Sequence, residues 1–216
     1  MLDSDRPDRL RAIVKRGSDI VVAVVMLTCL APVFLLIAIA ISLDSRGPVL
    51  FRQRRVGRDG REFTMLKFRS MSADATPDAH RSYINALAKG APPAAGAARG
   101  LLKLTRDGRI TRVGAILRKT SLDECPQLFN VLAGTMSIVG PRPALAYELE
   151  LYRPEHFARF SVRPGITGLW QVCGRNRLDF YEMLDLDVEY AGRYGFARDA
   201  GLILRTPWAV VRAHTA

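Results

Sequence analysis

The apolar positions fall into one long unbroken block and several short periodic ones. Between Asp19 and Asp44 the stretch IVVAVVMLTCLAPVFLLIAIAISL carries no charged residue, and as a helix it is long enough to cross the hydrocarbon of a bilayer. A secretory signal has a shorter apolar region followed by a small-residue cleavage site, so the pattern predicts a retained N-terminal membrane helix. Both flanks are basic, with Arg6, Arg9, Arg11, Lys15 and Arg16 before the run and Arg46, Arg52, Arg54, Arg55, Arg58 and Arg61 after it. A simple span has one flank poorer in Lys and Arg; two basic flanks place both ends on the cytoplasmic side. Pro32 lies mid-run, where it removes a backbone hydrogen bond and kinks a helix. The expectation is a kinked, re-entrant helix that enters and leaves one leaflet, with a proline-bearing single pass as the open alternative, since membrane helices tolerate proline. Residues 1–45 are then a basic segment with the membrane helix, and residues 46–216 a cytoplasmic domain.

The remaining periodicities are short. Apolar runs at Val49 to Phe51 and Phe63 to Phe68, around Gly57-Arg58-Asp59-Gly60, predict a β-hairpin. A helix is expected over Ala73 to Leu87, followed by an Ala-, Gly- and Pro-rich flexible loop near 89–100 that serves as linker or lid. Leu122, Cys125, Leu128, Phe129 and Leu132 form an apolar stripe at helical spacing, started near Ser121 and stopped by Gly134. Met136 to Val139 reads as a short strand and Ala144 to Phe160 as a helix. The turn-rich VRPGITGLWQVCGRN precedes a helical LDFYEMLDLDVEYAGRYG. The apolar residues of the tail AGLILRTPWAVVRAHTA fit either a membrane interface or an ordinary core. The fold class predicted is α/β, mostly helical with a few short strands, and no internal repeat is present.

Charge narrows the choice of partners. A formal net charge of +11 and a pI near 10.2 call for a polyanion, whether nucleic acid, an anionic membrane surface or a phosphorylated substrate. The densest basic clusters abut the apolar run, where lipid headgroups account for them. A membrane-tethered nucleic-acid-binding protein remains the rival reading, and it requires a basic groove with interleaved aromatics. Cys29, Cys125 and Cys173 show no C-x-x-C spacing, which indicates a reducing compartment and no thiolate metal site.

Candidate chemistry centres on RKTSLDECPQLFNVLAG, where two acids, Asp123 and Glu124, follow two cations, Arg118 and Lys119. Ser121-Leu122-Asp123-Glu124 fits a capping box, in which serine caps a helix and glutamate reaches back to the cap's own N–H. Adjacent helical residues point in different directions, so a facing carboxylate dyad is not expected. By itself the stretch is compatible with a helix cap or with catalysis. Arg142 stands between Pro141 and Pro143, which limit where its guanidinium can point; the bland reading of that turn is a rigid connector. Trp170, between Leu169 and Gln171, reads as buried or interfacial more readily than as a base-stacking platform.

Taken together, KFRSM, RITRVGAILRKTSLDECPQLFNVLAGTMSIVGPRP and RPGITGLWQVCGR, in that order behind one membrane helix, resemble the bacterial sugar transferases that are monotopic phosphoglycosyl transferases. The resemblance runs from about Lys15 to Arg212. It implies transfer of a sugar 1-phosphate from a UDP-sugar to undecaprenyl phosphate with release of UMP, at the cytoplasmic face of the inner membrane. By the same resemblance Asp123 is the nucleophile and a ligand of Mg²⁺. Glu124 assists proton handling or metal organisation. Lys67, Arg118, Arg142, Arg163, Thr167, Gln171 and Arg175 bind phosphate or nucleotide, and Asp187 is a supporting acid paired with an arginine such as Arg175. Amphipathic helices would lie on the membrane interface. No nucleic acid is expected as partner, and oligomeric state, including a homo-oligomer, stays open. The chain departs from the family in having Ala31-Pro32 where Ser-Pro is frequent, and Cys173 before Gly174-Arg175 where Ser or Asn is usual. Physically, an anionic carboxylate attacking an anionic diphosphate needs a metal and fixed cations where charge develops.

Overall fold

The computed structural model describes residues 5–72, 84, 108–174 and 178–212. The expected helix over Ala73 to Leu87, save Ile84, the loop near 89–100 and Arg175 lie outside them.

The long apolar block forms helix α1, Asp5–Asp44, which runs unbroken across Pro32. One stripe of it faces protein along nearly the whole length. Lys15, Asp19, Ala23, Ile37 and Ile41 are buried, and Val22, Leu27, Leu30, Val33 and Phe34 pack on the two cores the helix borders. These positions recur at the three- and four-residue steps of one helix face. The opposite face, with Val21, Val24, Val25, Leu35, Leu36, Ile39 and Leu43, is exposed and apolar.

Both ends of α1 are bolted to the rest of the chain by polar contacts. Near its start, Lys15 Nζ donates to Val139 O at 3.0 Å and to Asp199 Oδ2 at 2.5 Å. Tyr190 Oη donates to the other oxygen of Asp199 at 2.7 Å and to Val139 O at 3.0 Å. Asp19 Oδ1 accepts from Ser137 Oγ at 2.9 Å and Ile138 N at 3.0 Å. At the far end, Arg69 donates to Ser45 O at 2.7 Å and Arg46 O at 2.9 Å, supplying donors to carbonyls that a helix terminus leaves open. Asp44 Oδ2 accepts from Val113 N at 2.9 Å, where the next helix begins and its dipole favours an anion. Arg69 of KFRSM is therefore a structural clamp.

After α1 come strands β1, Leu50–Val56, and β2, Glu62–Phe68, an antiparallel hairpin with Leu50 opposite Phe68 and Val56 opposite Glu62. Helix α2, Arg112–Thr120, is capped by Thr111, whose side chain accepts from Gly114 N. It passes so close to the end of β2 that a Cβ on Gly114 would lie 2.1 Å from Ser70 O. Helix α3, Gln127–Leu132, leads into β3, Ser137–Val139, which pairs in parallel with β4, Gly165–Thr167. Three helices close the chain: α4, Leu169–Cys173; α5, Phe180–Gly192; and α6, Phe196–Arg212. The main core holds Met65, Leu128, Val131, Met136, Ile138, Val139, Val162, Tyr190 and Leu202, so hairpin, α3, the β3–β4 pair, α5 and α6 share it with α1. Trp170 is buried in a second core with Phe180, Met183 and Leu184. On α6, Leu204, Trp208 and Val211 are exposed, and the Arg212 guanidinium lies 4.9 Å from the Trp208 ring centre. The described residues are thus mostly helical with a few short strands and one long apolar helix, an arrangement compatible with a monotopic membrane protein.

Two elements differ from the sequence expectation. Ala144 to Phe160 is not one α-helix but two 3₁₀ segments, Ala146–Leu151 and Pro154–Ser161. Pro154 has no N–H to continue a helix and drives the preceding residue to extended backbone; Arg153 sits at φ −78°, ψ 158°. Ser121 does not cap a following helix. It closes α2 in the left-handed conformation, φ 58° and ψ 15°, and makes no side-chain capping bond, whereas an N-cap residue needs extended backbone. Leu122–Glu124 is a single 3₁₀ turn.

Candidate active site

That single turn carries Asp123 and Glu124. Because it is set between a left-handed serine and Pro126, it points its two acids differently. Asp123 is buried, at 3% exposure, and Glu124 Oε1 meets Lys67 Nζ of β2 at 3.3 Å. Glu124 is therefore occupied by a cross-element ion pair and not by the helix cap that the sequence pattern suggested. Arg118 stands in the last turn of α2, on the chain leading into the acids. Burial, helped by Asp123 and Glu124, pushes the neighbouring Cys125 thiol up to about 11, which keeps it protonated and poor as a nucleophile.

Arg142 is braced by a buried carboxylate. Its Nη1 donates to Glu148 Oε1 at 3.1 Å and Oε2 at 3.4 Å, and Glu148 Oε2 also accepts from Leu145 N at 2.9 Å. Arg55, buried in β1, donates to Pro143 O at 3.0 Å and to Gln53 Oε1 at 2.8 and 3.1 Å. Burial lowers the Arg55 guanidinium to about 10, reinforced by the nearby Arg142 and opposed by Glu148, Tyr147 and Glu124. The electrostatic reach of Arg55 thus spans the Pro-Arg-Pro turn and the acid turn. Burial alone would raise Glu148, yet Arg142, Arg55 and the Leu145 N–H together hold it below the ordinary carboxylate value.

Behind this turn lies a second buried pair. Arg159 Nη2 donates to Arg142 O at 2.6 Å and to Asp187 Oδ2 at 2.5 Å, and its Nη1 donates to Tyr152 Oη. Burial pushes Asp187 up to about 6, against the pull of Arg159, Arg142 and the Arg142 N–H. The supporting acid accordingly pairs with Arg159, where the sequence reading named Arg175 as an example. Arg159 was missed because it looks like one of many basic residues on an amphipathic segment; only tertiary packing shows it buried.

Other predicted site residues lie on the segment that pairs with the chain entering the Pro-Arg-Pro turn, where Gly165 N donates to Pro141 O at 2.8 Å. Arg163 donates from Nε to Gly134 O at 2.8 Å, closing the chain after α3 beside Arg16, which bonds Val131 O and Leu132 O. Thr167 Oγ1 is 2.9 Å from Thr206 Oγ1, tying β4 to α6. Gln171 Nε2 donates to Ile166 O at 3.2 Å. Among the described residues none of these three side chains bonds to the acid turn or to Arg142, but the Thr167 carbonyl accepts from Gly140 N at 2.9 Å, next to the Pro-Arg-Pro turn. Glu148, Arg55 and Arg159 are the residues that sequence reasoning overlooked. The available signal was the alternation of β1, which leaves Arg55 on the same strand face as Gln53.

Among the described residues no group of three or more His, Cys, Asp or Glu side chains is placed to hold a metal ion. Asp123 and Glu124 are hard oxygen donors, and Mg²⁺ binds through one or two carboxylates completed by substrate phosphates and water. The donor set fits Mg²⁺ and does not fit a dedicated all-protein cage.

A long apolar helix laid along a small unit with buried acids and paired arginines is compatible with the class of monotopic membrane proteins. The chain belongs to the bacterial sugar transferase family, whose model matches residues 10–213. It is 38% identical over 206 residues to the exopolysaccharide production protein ExoY of Rhizobium meliloti, covering 91% of this chain and 84% of that one. It is 41% identical over 200 residues to the UDP-glucose:undecaprenyl-phosphate glucose-1-phosphate transferase of Caulobacter vibrioides, covering 89% and 67%. Similarity to the undecaprenyl-phosphate galactose phosphotransferase of Salmonella typhimurium is 38% over 198 residues, 92% of this chain and 40% of that protein. The chain thus spans about two fifths of the length of some relatives and most of others.

Proposed function

We propose that this protein transfers a sugar 1-phosphate from a UDP-sugar to undecaprenyl phosphate, an early membrane step in exopolysaccharide or related glycan synthesis. The observation that carries the reading is the buried Asp123 on a turn whose neighbour Glu124 is pinned to Lys67, in a chain whose relatives bear the names above. An oxygen of Asp123 attacks the sugar-proximal phosphorus, the bond to the bridging oxygen breaks, and UMP departs with the electron pair. An oxygen of undecaprenyl phosphate then attacks the same phosphorus and frees the Asp123 carboxylate, leaving a diphosphate-linked lipid sugar. Two displacements let a soluble donor and a lipid acceptor use one site in turn. Asp123, with Glu124 beside it, would hold Mg²⁺, which when bound neutralises charge on the phosphates. Lys67, Arg118 and Arg142 supply fixed cations.

The helix is read as re-entrant, with the catalytic unit on the cytoplasmic face of the inner membrane. Asp19 and Asp44 bound its uncharged run, and both are hydrogen-bonded to the same folded unit. A helix crossing the bilayer would carry those ends to opposite sides. In this reading the outer apolar face of α1 meets lipid, and the exposure of Trp208, Leu204 and Val211 supports a seat for α6 at the interface.

The test of the chemistry is intact-protein mass after incubation with Mg²⁺ and a panel of UDP-sugars without lipid acceptor. A hexose-phosphate adduct is expected, matched by UMP, absent in Asp123→Asn and discharged by undecaprenyl phosphate. Lipid-dependent UMP release that persists in Asp123→Asn overturns the assignment of the nucleophile.

A further inference from the structure

Arg142 is presented on a proline-flanked turn, and the groups that hold it form an unequal set of charges. Two guanidiniums, Arg55 and Arg142, flank one carboxylate, Glu148, which is 1% exposed. Arg159 adds no net charge, because Asp187 at 2.5 Å balances it. Among the described residues the set therefore carries one positive charge in excess, and an unbalanced charge in a largely buried place is costly unless an anion completes it.

The geometry shows where that anion fits. Arg142 spends a single nitrogen, Nη1, on Glu148, and among the described residues its Nε and Nη2 donate to no protein acceptor. Its side chain is 19% exposed while that of Glu148 is 1% exposed, so the acid sits behind and the guanidinium in front. An arginine held from behind with one edge open is suited to a phosphate, which accepts two parallel N–H bonds. Arg55 grips the same turn through Pro143 O, and Arg159 grips it through Arg142 O.

We propose that Glu148 is a positioning residue that aims Arg142 at the diphosphate of the sugar-nucleotide donor, with Arg55 keeping the group net cationic. This rests on the function proposed above. Glu148 also closes its own turn through the Leu145 N–H, which makes it a structural residue too; glutamine in its place keeps one oxygen for that N–H while removing the charge and one of the two oxygens that accept from Arg142.

The test is a double-mutant cycle read as kcat and KM for donor and acceptor separately, in wild type, Glu148→Gln, Arg142→Gln and the double variant, with UMP release as signal. Losing one charge-assisted contact is worth about 10- to 100-fold. Glu148→Gln is expected to lower kcat/KM for the UDP-sugar by that amount, leave the KM for undecaprenyl phosphate unchanged, and add less than about twofold to the loss in Arg142→Gln, as coupled residues do. If the two losses multiply, or if donor and acceptor suffer alike, Glu148 only supports the fold and the proposal fails. If Glu148→Gln does not fold, the cycle is run with Glu148→Asp, which withdraws the charge from Arg142 and is judged by the same two outcomes. Wild-type protein that releases no UMP with any UDP-sugar overturns the function itself, and this assignment with it.

Discussion

Replacing Lys15 by methionine keeps the length of the side chain and removes its charge from one end of the membrane helix. Lys15 and Asp199 are 10% and 8% exposed at their side chains, so water screens the pair little. Two contacts vanish, to Val139 O at 3.0 Å and Asp199 Oδ2 at 2.5 Å. Hydrogen bonds to charged groups contribute about 1.5–3 kcal/mol each, and breaking a buried ion pair from one side costs about 3–5 kcal/mol. The two routes agree on a loss of roughly 3–5 kcal/mol. The unfolding midpoint should fall by about 6–20 °C at ~2–4 °C per kcal/mol for a chain of this size. Among the described residues the Asp199 carboxylate retains only the Tyr190 hydroxyl, so Asp199→Asn in the Lys15→Met background should recover part of the loss. The assay is urea unfolding in detergent micelles followed by tryptophan fluorescence, with the slope unchanged so that the midpoint reports stability. A loss below about 1 kcal/mol, the range of exposed ion pairs, would show that this end of α1 is not docked. The case for a re-entrant helix would then rest on Asp19, Asp44 and Arg69 without the Lys15 clamp.

Two further outcomes are expected. Single cysteines placed at Arg9 and Arg46, in a background without the native cysteines, should both react with a membrane-impermeant thiol reagent from the cytoplasmic side only; labelling from opposite sides establishes a spanning helix. Glu148, held below its ordinary value of 4.5, contributes stability that is present above pH 4.5 and lost as the pH falls through the lower folded value. Asp187, raised from 3.8 to about 6, acts in the opposite sense, its contribution being full below pH 3.8 and lost as the pH rises through about 6. Stability profiles between pH 7 and pH 3 should therefore show a shallower acid-side loss in Glu148→Gln than in wild type. Equal slopes would mean that Arg142 and Arg55 do not hold the carboxyl low.

Local pattern determined a good deal here. The uncharged run between Asp19 and Asp44 becomes α1, the apolar pair of runs around Gly57-Arg58-Asp59-Gly60 becomes the hairpin, and Met136 to Val139 contains β3. Each depends on near-neighbour spacing, which a sequence displays directly. Motif order located the acid turn and the Pro-Arg-Pro turn. Ser121 shows the limit of such reading: its S-x-x-E spacing suits a cap, but the preceding helix claims it as a terminus, and a short motif does not reveal which neighbour wins. Pro154 was visible in the sequence and still outweighed by the apolar periodicity around it.

Only the tertiary structure decided what each charge does. Lys15 and Arg69, two of many basic residues near the apolar run, turn out to be clamps on its two ends. Glu124 leaves its expected cap for Lys67, fifty-seven positions away. Arg163, Thr167 and Gln171 spend their side chains on Gly134 O, Thr206 and Ile166 O, while Glu148, Arg55 and Arg159, which carry no motif of their own, build the brace around Arg142. The reason is physical: secondary structure follows the periodicity of a few adjacent residues, whereas a buried charge is viable only through partners supplied by distant segments, and those partners exist only once the chain has folded.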